Sequence, residues 1–327
     1  MFITTANDKD AIPRPLLDRM EVIELSGYLE TEKVEIAKRH LIPKQLEKHG
    51  LKKCQLTIAD EAIVELIRGY THEAGVRELE RETAAVCRKA AMDIGSGKAR
   101  VRVGKQKLAA YLGAPKYTHG AIDAINEIGL ANGLAWTSFG GETLQIEVQI
   151  VPGSGQVILT GKLGDVMQES AKAALTFIKA HAEEFGITLP LDKKDIHLHV
   201  PEGAVPKDGP SAGITIMTAM LSALSGIPAR ADTAMTGEIT LRGRVLEIGG
   251  LREKLLAAYR AGIKRVLIPK ANEKDLSDVP DEVKANMEII GVASAFDVIP
   301  LALEHTPQKT ADAFIPQHAH SGAAAAQ

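Results

Sequence analysis

The spacing of apolar side chains separates a helical stretch near the start of the chain from the rest of the sequence. Between Thr31 and about Gly104, apolar residues recur every three or four positions, as on a helix that buries one face. One helix is predicted after Thr31, a second from Asp60, and a third over residues 76–94, where Gly95 and its neighbours end it. This stretch is therefore predicted to form a small helical module.

A different pattern begins after a connector that extends from Gly104 to about Thr118 and contains a short helical piece. Residues 144–151 alternate between apolar and polar, as in a strand with one wet face. Further strands are predicted at 157–159, 197–200, 240–245 and 265–269, and helices at 170–184, 214–224 and 251–261. Strands that alternate with helices predict an α/β or α+β domain.

Neither end of the chain fits these two patterns. Residues 2–7 are predicted to be a buried strand, although a short strand needs a partner and none precedes it. We therefore expect either a distant partner for this strand or a chain that starts partway through a domain. Beyond Thr306 the periodicity is lost, and residues 321–327 are expected to form a frayed tail.

Composition and charge narrow the classes of function. The formal net charge of −3 argues against a globally basic nucleic-acid-binding protein, and an aromatic content of 4% argues against a surface that stacks on bases. Two cysteines, Cys54 and Cys87, are too few for a disulfide framework or a zinc knuckle, which favours a reducing, cytoplasmic compartment. We also expect no secretory signal and no membrane span, since the longest uncharged run, 209–229, contains Ser, Thr and Gly like a buried helix.

Two weak motifs are better explained by structure than by ligand binding. The Gly-Ser-Gly-Lys sequence at 95–98 resembles the end of a phosphate-binding loop, but Met92 replaces the first glycine and Ala99 the hydroxyl residue. A helix end followed by a solvated lysine is the better interpretation. His197 and His199 share one face of a predicted strand, yet no third ligand is near enough in sequence to predict a metal site.

The strongest chemical signal is the segment 206–213, just before the uncharged helix. Gly209 and Gly213 permit tight backbone geometry, Pro210 restricts its neighbours, and Ser211 lies at the mouth of the helix. Backbone N–H groups at a helix start have no partner within the helix, so they can stabilise a developing oxyanion. Ser211 is thus either a helix cap or a nucleophile, and position alone favours the cap.

A second segment, which contains Lys254, favours the nucleophile. Lys254 lies near the start of the helix that follows Gly249 and Gly250, and leucine residues flank it. Burial can lower the pKa of such a lysine from about 10.4 towards neutrality, so that it can accept the proton of a serine hydroxyl. The alternative is a lysine that extends to solvent, as isolated lysines usually do.

The sequence at 209–213 also matches the Gly-x-Ser-x-Gly elbow of α/β-hydrolases. That fold needs an acid and a histidine downstream of the serine. The histidines after Ser211 are His305, His318 and His320, which lie at the edge of the predicted tail or within it, and no strongly apolar strand leads into the elbow. A Ser-His-Asp hydrolase is therefore the weaker alternative.

Three segments around these residues resemble the proteolytic domain of the Lon protease family, the ATP-dependent endopeptidases with a Ser–Lys dyad. They are residues 206–213, 236–245 and 249–256. The separation of Ser211 and Lys254 along the chain matches that family's spacing between nucleophile and base. Residues 120–147 resemble the start of the same domain, and the resemblance continues to about residue 303.

The N-terminal third resembles the rear part of the AAA+ module of the same family. Asn7 resembles the sensor-1 residue that orients the attacking water, Arg19 the arginine finger, and Arg77 the sensor-2 residue. The family's Walker A and Walker B segments are missing from this sequence. The chain is therefore expected to be a C-terminal fragment that lacks ATPase activity by itself.

The resemblance implies a multi-domain architecture, in which a small all-α AAA+ subdomain is followed by an α/β (α+β) Lon-type proteolytic domain. The expected divisions are the end of the AAA+ α/β core at 1–23, the helical subdomain at 24–104, a linker at 105–118, the proteolytic domain at 119–303 and a flexible tail at 304–327.

The resemblance also assigns Ser211 as the nucleophile, Lys254 as the base, and Thr236 as the partner that orients the lysine amine. Supporting roles near the active site or at contacts with a neighbouring subunit are implied for Asp208, His197, Glu238 and Glu147. Asp208 could also switch the site by pairing with Lys254, because a carboxylate partner would keep the lysine protonated and inactive.

The expected function is that of a serine endopeptidase that cuts unfolded or damaged proteins in cytoplasmic quality control and the stress response. Peptide hydrolysis would need no cofactor or metal, whereas the full-length enzyme would use ATP and Mg²⁺. The expected assembly is a homohexamer, with no membrane or nucleic-acid partner. The alternative from another class is a binding or regulatory module in which Ser211 and Lys254 are only architectural.

Overall fold

A computed structural model describes residues 2–6, 12–23, 27–117, 125–137, 140–201 and 207–308. The chain divides into two compact units, Met1–Tyr117 and Thr118–Gln327, and each has its own hydrophobic core. Within the described part of the chain, none of the helices combines the length and the apolar character that a membrane crossing requires.

The first unit is mostly helical. Its helices are α1 (Arg14–Leu17), α2 (Glu30–Ile36), α3 (Ile42–Lys48), α4 (Asp60–Tyr70), α5 (Arg77–Gly95) and α6 (Lys105–Leu112), and a π-helical turn (Ala37–Leu41) joins α2 to α3. The apolar positions of α4 and α5, such as Ile63, Leu66, Leu79 and Val86, are buried together in its core. The three helices predicted from the helical period are therefore confirmed.

One feature of this unit was not predicted from the sequence. Strands β1 (Leu56–Ile58) and β2 (Val101–Val103) pair in parallel, so the unit also contains a small sheet. Helix α6, in contrast, confirms the short helical piece predicted in the connector, and it buries Leu108 in the core of this unit.

The buried strand predicted at residues 2–7 is wrong where the structure describes it. Residues 2–6 are in no strand, and Phe2 and Ile3 are exposed. An extended apolar segment becomes a strand only when a neighbour supplies its backbone hydrogen bonds, and no described strand pairs with this one.

The second unit is built on a seven-stranded mixed sheet. In chain order its strands are β3 (Leu130–Thr137), β4 (Gly140–Pro152), β5 (Val157–Thr160), β6 (Lys194–His199), β7 (Thr233–Met235), β10 (Arg265–Pro269) and β11 (Glu288–Val292). In space their order is β11-β10-β7-β3-β4-β6-β5, and β4 runs antiparallel to both of its neighbours. The alternation predicted for 144–151 is confirmed, since Ile146 and Val148 are buried and Glu147 is exposed.

Helices cover this sheet on both faces. They are α7 (Asp165–Ala180), α8 (Gly213–Ser225), α9 (Leu251–Arg260), α10 (Asp281–Asn286) and α11 (Ala295–Ala302). A Cβ added to Gly133 would touch Thr215 of α8, and one added to Gly141 would overlap Glu253 of α9. Gly133 pairs with Leu144, so the two residues share one face of the sheet. Gly141 is three positions before Leu144 on β4 and therefore points to the other face. Helices α8 and α9 thus lie on opposite faces of the sheet.

The strand predicted at 240–245 is only partly correct. The structure has a hairpin there, formed by β8 (Glu238–Ile239) and β9 (Val245–Leu246). The residues between them form a turn, in which the N–H of Gly243 donates to the carbonyl of Thr240. Gly243 has a φ of +75°, and this left-handed geometry ends a strand.

Candidate active site

Ser211 lies in a tight 3-10 turn, Pro210–Ala212, at the entrance to α8. The turn depends on Gly209, whose φ of +127° is a conformation that side chains with a Cβ rarely adopt. The backbone of Ser211 is fixed from the other side, because its carbonyl accepts a hydrogen bond of 2.7 Å from the N–H of Gly237. The side chain of Ser211 is half-buried and lines a cavity.

Lys254 lies in the first turns of α9 and is one of the few buried charged residues in the described chain, with only 2% of its surface exposed. Its Nζ donates a hydrogen bond of 3.1 Å to Oγ1 of Thr236. Burial lowers the pKa of the Lys254 amine to about 8, because the charged form loses its hydration. With this pKa, about a tenth of the lysine is neutral at pH 7 and about half at pH 8.

Thr236 connects the two residues. It follows β7 directly and is fully buried, and its backbone N–H donates to the carbonyl of Leu267 on β10. Its hydroxyl accepts the hydrogen bond from Lys254 and donates one of 3.2 Å to the carbonyl of Ser211. The sheet thus fixes a hydroxyl that orients the amine of Lys254 and holds the backbone that carries Ser211.

Ser211 and Lys254 line the same cavity, which has a volume of about 390 Å³. The other residues that line it are Leu134, Ala135, Trp136, Thr137, Glu142, Thr143, Leu144, Met167, Lys207, Asp208, Gly209, Pro210, Ala212, Glu247, Ile248 and Gly249. Ten of the eighteen lining residues are apolar or glycine, and the others carry charged or hydroxyl groups. The structure therefore brings the predicted nucleophile and base into one cleft.

Asp208 also lines the cavity, but in this structure its carboxylate has backbone partners. Its Oδ1 accepts hydrogen bonds from the N–H groups of Met167, at 3.0 Å, and Gly209, at 2.8 Å. The carboxylate therefore caps the start of α7, where backbone donors are otherwise unpaired. The pairing of Asp208 with Lys254 that would switch the site stays a prediction.

The other three supporting residues, His197, Glu238 and Glu147, are not among the residues that line the cavity. Nε2 of His197 lies 3.0 Å from Oγ1 of Thr160. Glu238 is half-buried at the start of β8, and Glu147 is exposed on β4. Among the described residues, no group of three or more His, Cys, Asp or Glu side chains is arranged to hold a metal ion.

The residues predicted to sense nucleotide belong to the first unit. Arg19 is exposed just after α1, and Arg77 is exposed as the first residue of α5. Asn7 lies outside the described residues. Helix α5 ends at Gly95, and Lys98 forms an ion pair of 2.9 Å with Asp93, which agrees with a helix end at the Gly-Ser-Gly sequence.

Sequence reasoning missed one wall of the cavity and its support. The wall contains Glu247, Ile248 and Gly249, and a buried side chain, Asn272, holds it through the backbone of Ile248. Asn272 lies in a polar 3-10 segment, Lys270–Asp278, whose composition is typical of a solvated turn. No periodic signal distinguishes it from its exposed neighbours, so only the structure identifies it.

Comparison with known proteins gives consistent matches along the chain. Residues 102–305 match the model of the Lon protease (S16) C-terminal proteolytic domain, and residues 47–103 match that of the Lon protease AAA+ ATPase lid domain.

Individual relatives agree with these matches. The Lon protease of Nitratidesulfovibrio vulgaris is 58% identical over 306 residues, which is 92% of this chain and 37% of that protein. The Lon proteases of Bacillus thuringiensis and Escherichia coli K12 are each 55% identical, over 93% and 94% of the chain and 38% and 39% of their own lengths. The chain thus spans about two fifths of the length of these curated relatives.

Proposed function

The chain belongs to the Lon protease family, and we propose that it is a serine endopeptidase in which Ser211 is the nucleophile and Lys254 the general base. The observation that carries this proposal is the buried lysine. Its pKa is near 8, its amine is oriented by Thr236, and it shares one cavity with a serine at a helix entrance. A fully exposed lysine would stay protonated at neutral pH and could not act as a base.

The proposed reaction has two halves. In the first, the neutral amine of Lys254 takes the proton of the Ser211 hydroxyl while Oγ bonds to the carbonyl carbon of the substrate. Backbone N–H groups at the entrance to α8 stabilise the oxyanion of the tetrahedral intermediate. When the C–N bond breaks, the ammonium of Lys254 returns its proton to the leaving amine, and Ser211 holds an ester.

In the second half, water replaces the amine. Lys254 takes a proton from the attacking water, the ester bond to Ser211 breaks, and the proton passes from Lys254 to Oγ of the serine. The products are a carboxylic acid, which ionises at neutral pH, and the free enzyme. No redox step or metal is needed in this sequence of bonds.

Strand β3 gives a physical reason for a polypeptide substrate. It pairs with β7 only through Asn132 and Gly133, whereas residues 134–137 continue into the cavity wall. On the side of β7, Leu134, Ala135 and Trp136 pair with no strand among the described residues. An extended peptide can add to such an edge by backbone hydrogen bonds, which suits unfolded chains of many sequences.

The wider role follows from the family and is part of the same proposal. In a full-length enzyme, ATP and Mg²⁺ would drive the unfolding of damaged proteins, and a homohexamer would deliver them to the peptidase sites for quality control under stress. The match to an AAA+ lid supports this role. With only two cysteines, one of them buried, the chain fits a reducing cytoplasm.

The test is covalent labelling of the serine. A peptide boronate or a fluorophosphonate should modify Ser211 in the folded chain, and mass spectrometry should locate the adduct there. Ser211→Ala should abolish both the label and peptide hydrolysis, whereas Ser225→Ala, at the far end of the same helix, should keep both. A wild-type chain that is neither labelled nor active would favour a binding or regulatory module instead.

A further inference from the structure

Asn272 is fully buried, and both polar atoms of its amide group bond to the backbone of one other residue. Its Oδ1 accepts a hydrogen bond of 3.0 Å from the N–H of Ile248, and its Nδ2 donates one of 2.9 Å to the carbonyl of Ile248. Nδ2 also donates to Oδ2 of Asp275 at 2.6 Å, which fixes the orientation of the amide. The side chain thus replaces the pair of bonds that a neighbouring strand would make.

The residue that Asn272 holds lies between β9 and α9. Ile248 and Gly249 line the cavity together with Lys254. Gly250 then adopts a φ of +67° and caps α9, and its carbonyl accepts the hydrogen bond from the N–H of Lys254. The position of Ile248 therefore determines both the wall beside the amine and the start of the helix that carries it.

We propose that Asn272 is a positioning residue that holds the loop 247–250 against the Lys254 side chain and keeps water away from its amine. The inference rests on the proposed role of Lys254 as the base. The loop contains two glycines, so without such a bond its backbone would have many alternative conformations. A second contact from the same segment, the ion pair of Lys274 with Glu247, is exposed and contributes less.

Several structural elements contribute charged groups to the surroundings of Lys254. Glu142 on β4, Glu247 in the loop, and Lys207 and Asp208 before the serine turn line the same cavity, while Arg252 and Glu253 precede Lys254 on α9. The pKa of Lys254 is nevertheless lowered by burial. A looser loop would admit water and raise that pKa towards the ordinary value of 10.5.

The test replaces the amide donor without changing the size of the side chain. In Asn272→Asp, one carboxylate oxygen replaces Nδ2 and faces the carbonyl of Ile248 and the carboxylate of Asp275, so it repels the two groups to which Nδ2 donated. Asn286→Asp is the matched control, since Asn286 is exposed at the end of α10 and its side chain donates within the helix to the carbonyl of Glu282. Circular dichroism and thermal melting establish that each variant is folded.

Two readouts are measured from pH 6 to 10.5. Acetylation of Lys254 by acetic anhydride, quantified by mass spectrometry, gives the pKa of the amine without reference to activity. The pH dependence of kcat/KM for a peptide gives the pKa that controls catalysis. Asn272→Asp should raise both values by about one unit or more, with a loss of about tenfold in kcat/KM at pH 7 for each unit. Asn286→Asp should match the wild type.

The outcomes separate this inference from the proposed function. If folded Asn272→Asp has the same Lys254 pKa as the wild type, the positioning role is wrong even if the enzyme is active. The uncharged variant Asn272→Ala removes the same hydrogen bonds without adding a carboxylate, so a rise of the Lys254 pKa in it excludes direct attraction by a new charge. If the wild type cuts no peptide but the Lys254 pKa rises in both variants, the positioning role stands and the peptidase proposal fails. A folded Asn272→Ala with an unchanged Lys254 pKa overturns the inference.

Discussion

Replacing Lys254 by methionine should abolish peptide hydrolysis and at the same time stabilise the fold at neutral pH. Methionine has a similar length and volume but carries no charge, so it fits a buried site without a loss of hydration. Stability and activity should therefore change in opposite directions at one position, as expected where an active site holds an unfavourable group.

The magnitude follows from the pKa of Lys254, which is about 8 in the fold against an ordinary value of 10.5. Each unit corresponds to about 1.4 kcal/mol, so the folded state loses about 3 kcal/mol by keeping this ammonium charged. Methionine also loses the hydrogen bond to Thr236, which is worth about 1 kcal/mol. The net gain at pH 7 should be about 2 kcal/mol, or roughly 4–8 °C in Tm.

The sign of the pH dependence provides an internal check. Below pH 8 the lysine is charged in both the folded and the unfolded chain, so the folded state bears the whole cost. Between pH 8 and 10.5 the folded chain releases its proton first, and the wild type gains stability that Lys254→Met does not. The advantage of the variant should therefore shrink steadily across this range.

The assay is thermal denaturation of the wild type, Lys254→Met and Lys179→Met from pH 7 to 10.5, with peptide hydrolysis measured in parallel. Lys179 is exposed near the end of α7, so its replacement controls for the loss of one positive charge. A Lys254→Met variant that is less stable than the wild type at pH 7, or whose advantage is independent of pH, would refute the assignment of a desolvated lysine.

Three further outcomes are expected. Lys254→Arg should be inactive in peptide hydrolysis from pH 7 to 10, because a guanidinium stays protonated and cannot act as a base; measurable turnover would exclude the dyad. Gly250→Ala should lower the free energy of unfolding by about 1–3 kcal/mol in thermal melts, since φ at this position is +67° and a Cβ would lie 2.9 Å from Cγ of Trp136. Gly262→Ala should lower the free energy of unfolding by less, because Gly262 has a similar φ of +77° but open space around it. The chain should release no phosphate from ATP above a contaminant control, because the sequence contains no glycine-rich loop followed by Lys and Ser or Thr.

Periodicity was sufficient to predict the elements that are long enough to show it. Helices α4 and α5 and strand β4 bury one side of a regular pattern, so their apolar positions could be identified without a structure. Strand β7 has only three residues, and all of them are buried. Such a short strand in the middle of a sheet has no pattern of its own, since its neighbours supply both its hydrogen bonds and its burial.

The two strand predictions that were wrong or only partly correct have different causes. Phe2 and Ile3 have strand-forming side chains, but no described strand provides the hydrogen bonds that would make residues 2–6 a strand. At 240–245 the apolar residues alternate as in a strand, but the positive φ of Gly243 reverses the chain into a hairpin.

The residue types at the site were determined by the sequence itself. Ser211 lies between Gly209 and Gly213 before an uncharged helix, and Lys254 follows Gly249 and Gly250. These residues restrict the chemistry to a serine with a nearby amine. What the sequence left open was the state of that amine, because a lysine at the start of a helix is in most proteins exposed.

Only the tertiary structure decided that Lys254 is buried. Strand β4 can approach α9 closely because Gly141 has no Cβ to overlap the backbone of Glu253, and Asn272 holds Ile248 in the adjoining wall. The desolvation of the amine therefore depends on residues more than a hundred positions apart in the sequence, which no local pattern relates to one another. The desolvation of a charged group depends on all the atoms that pack around it, and these atoms come together only once the chain has folded.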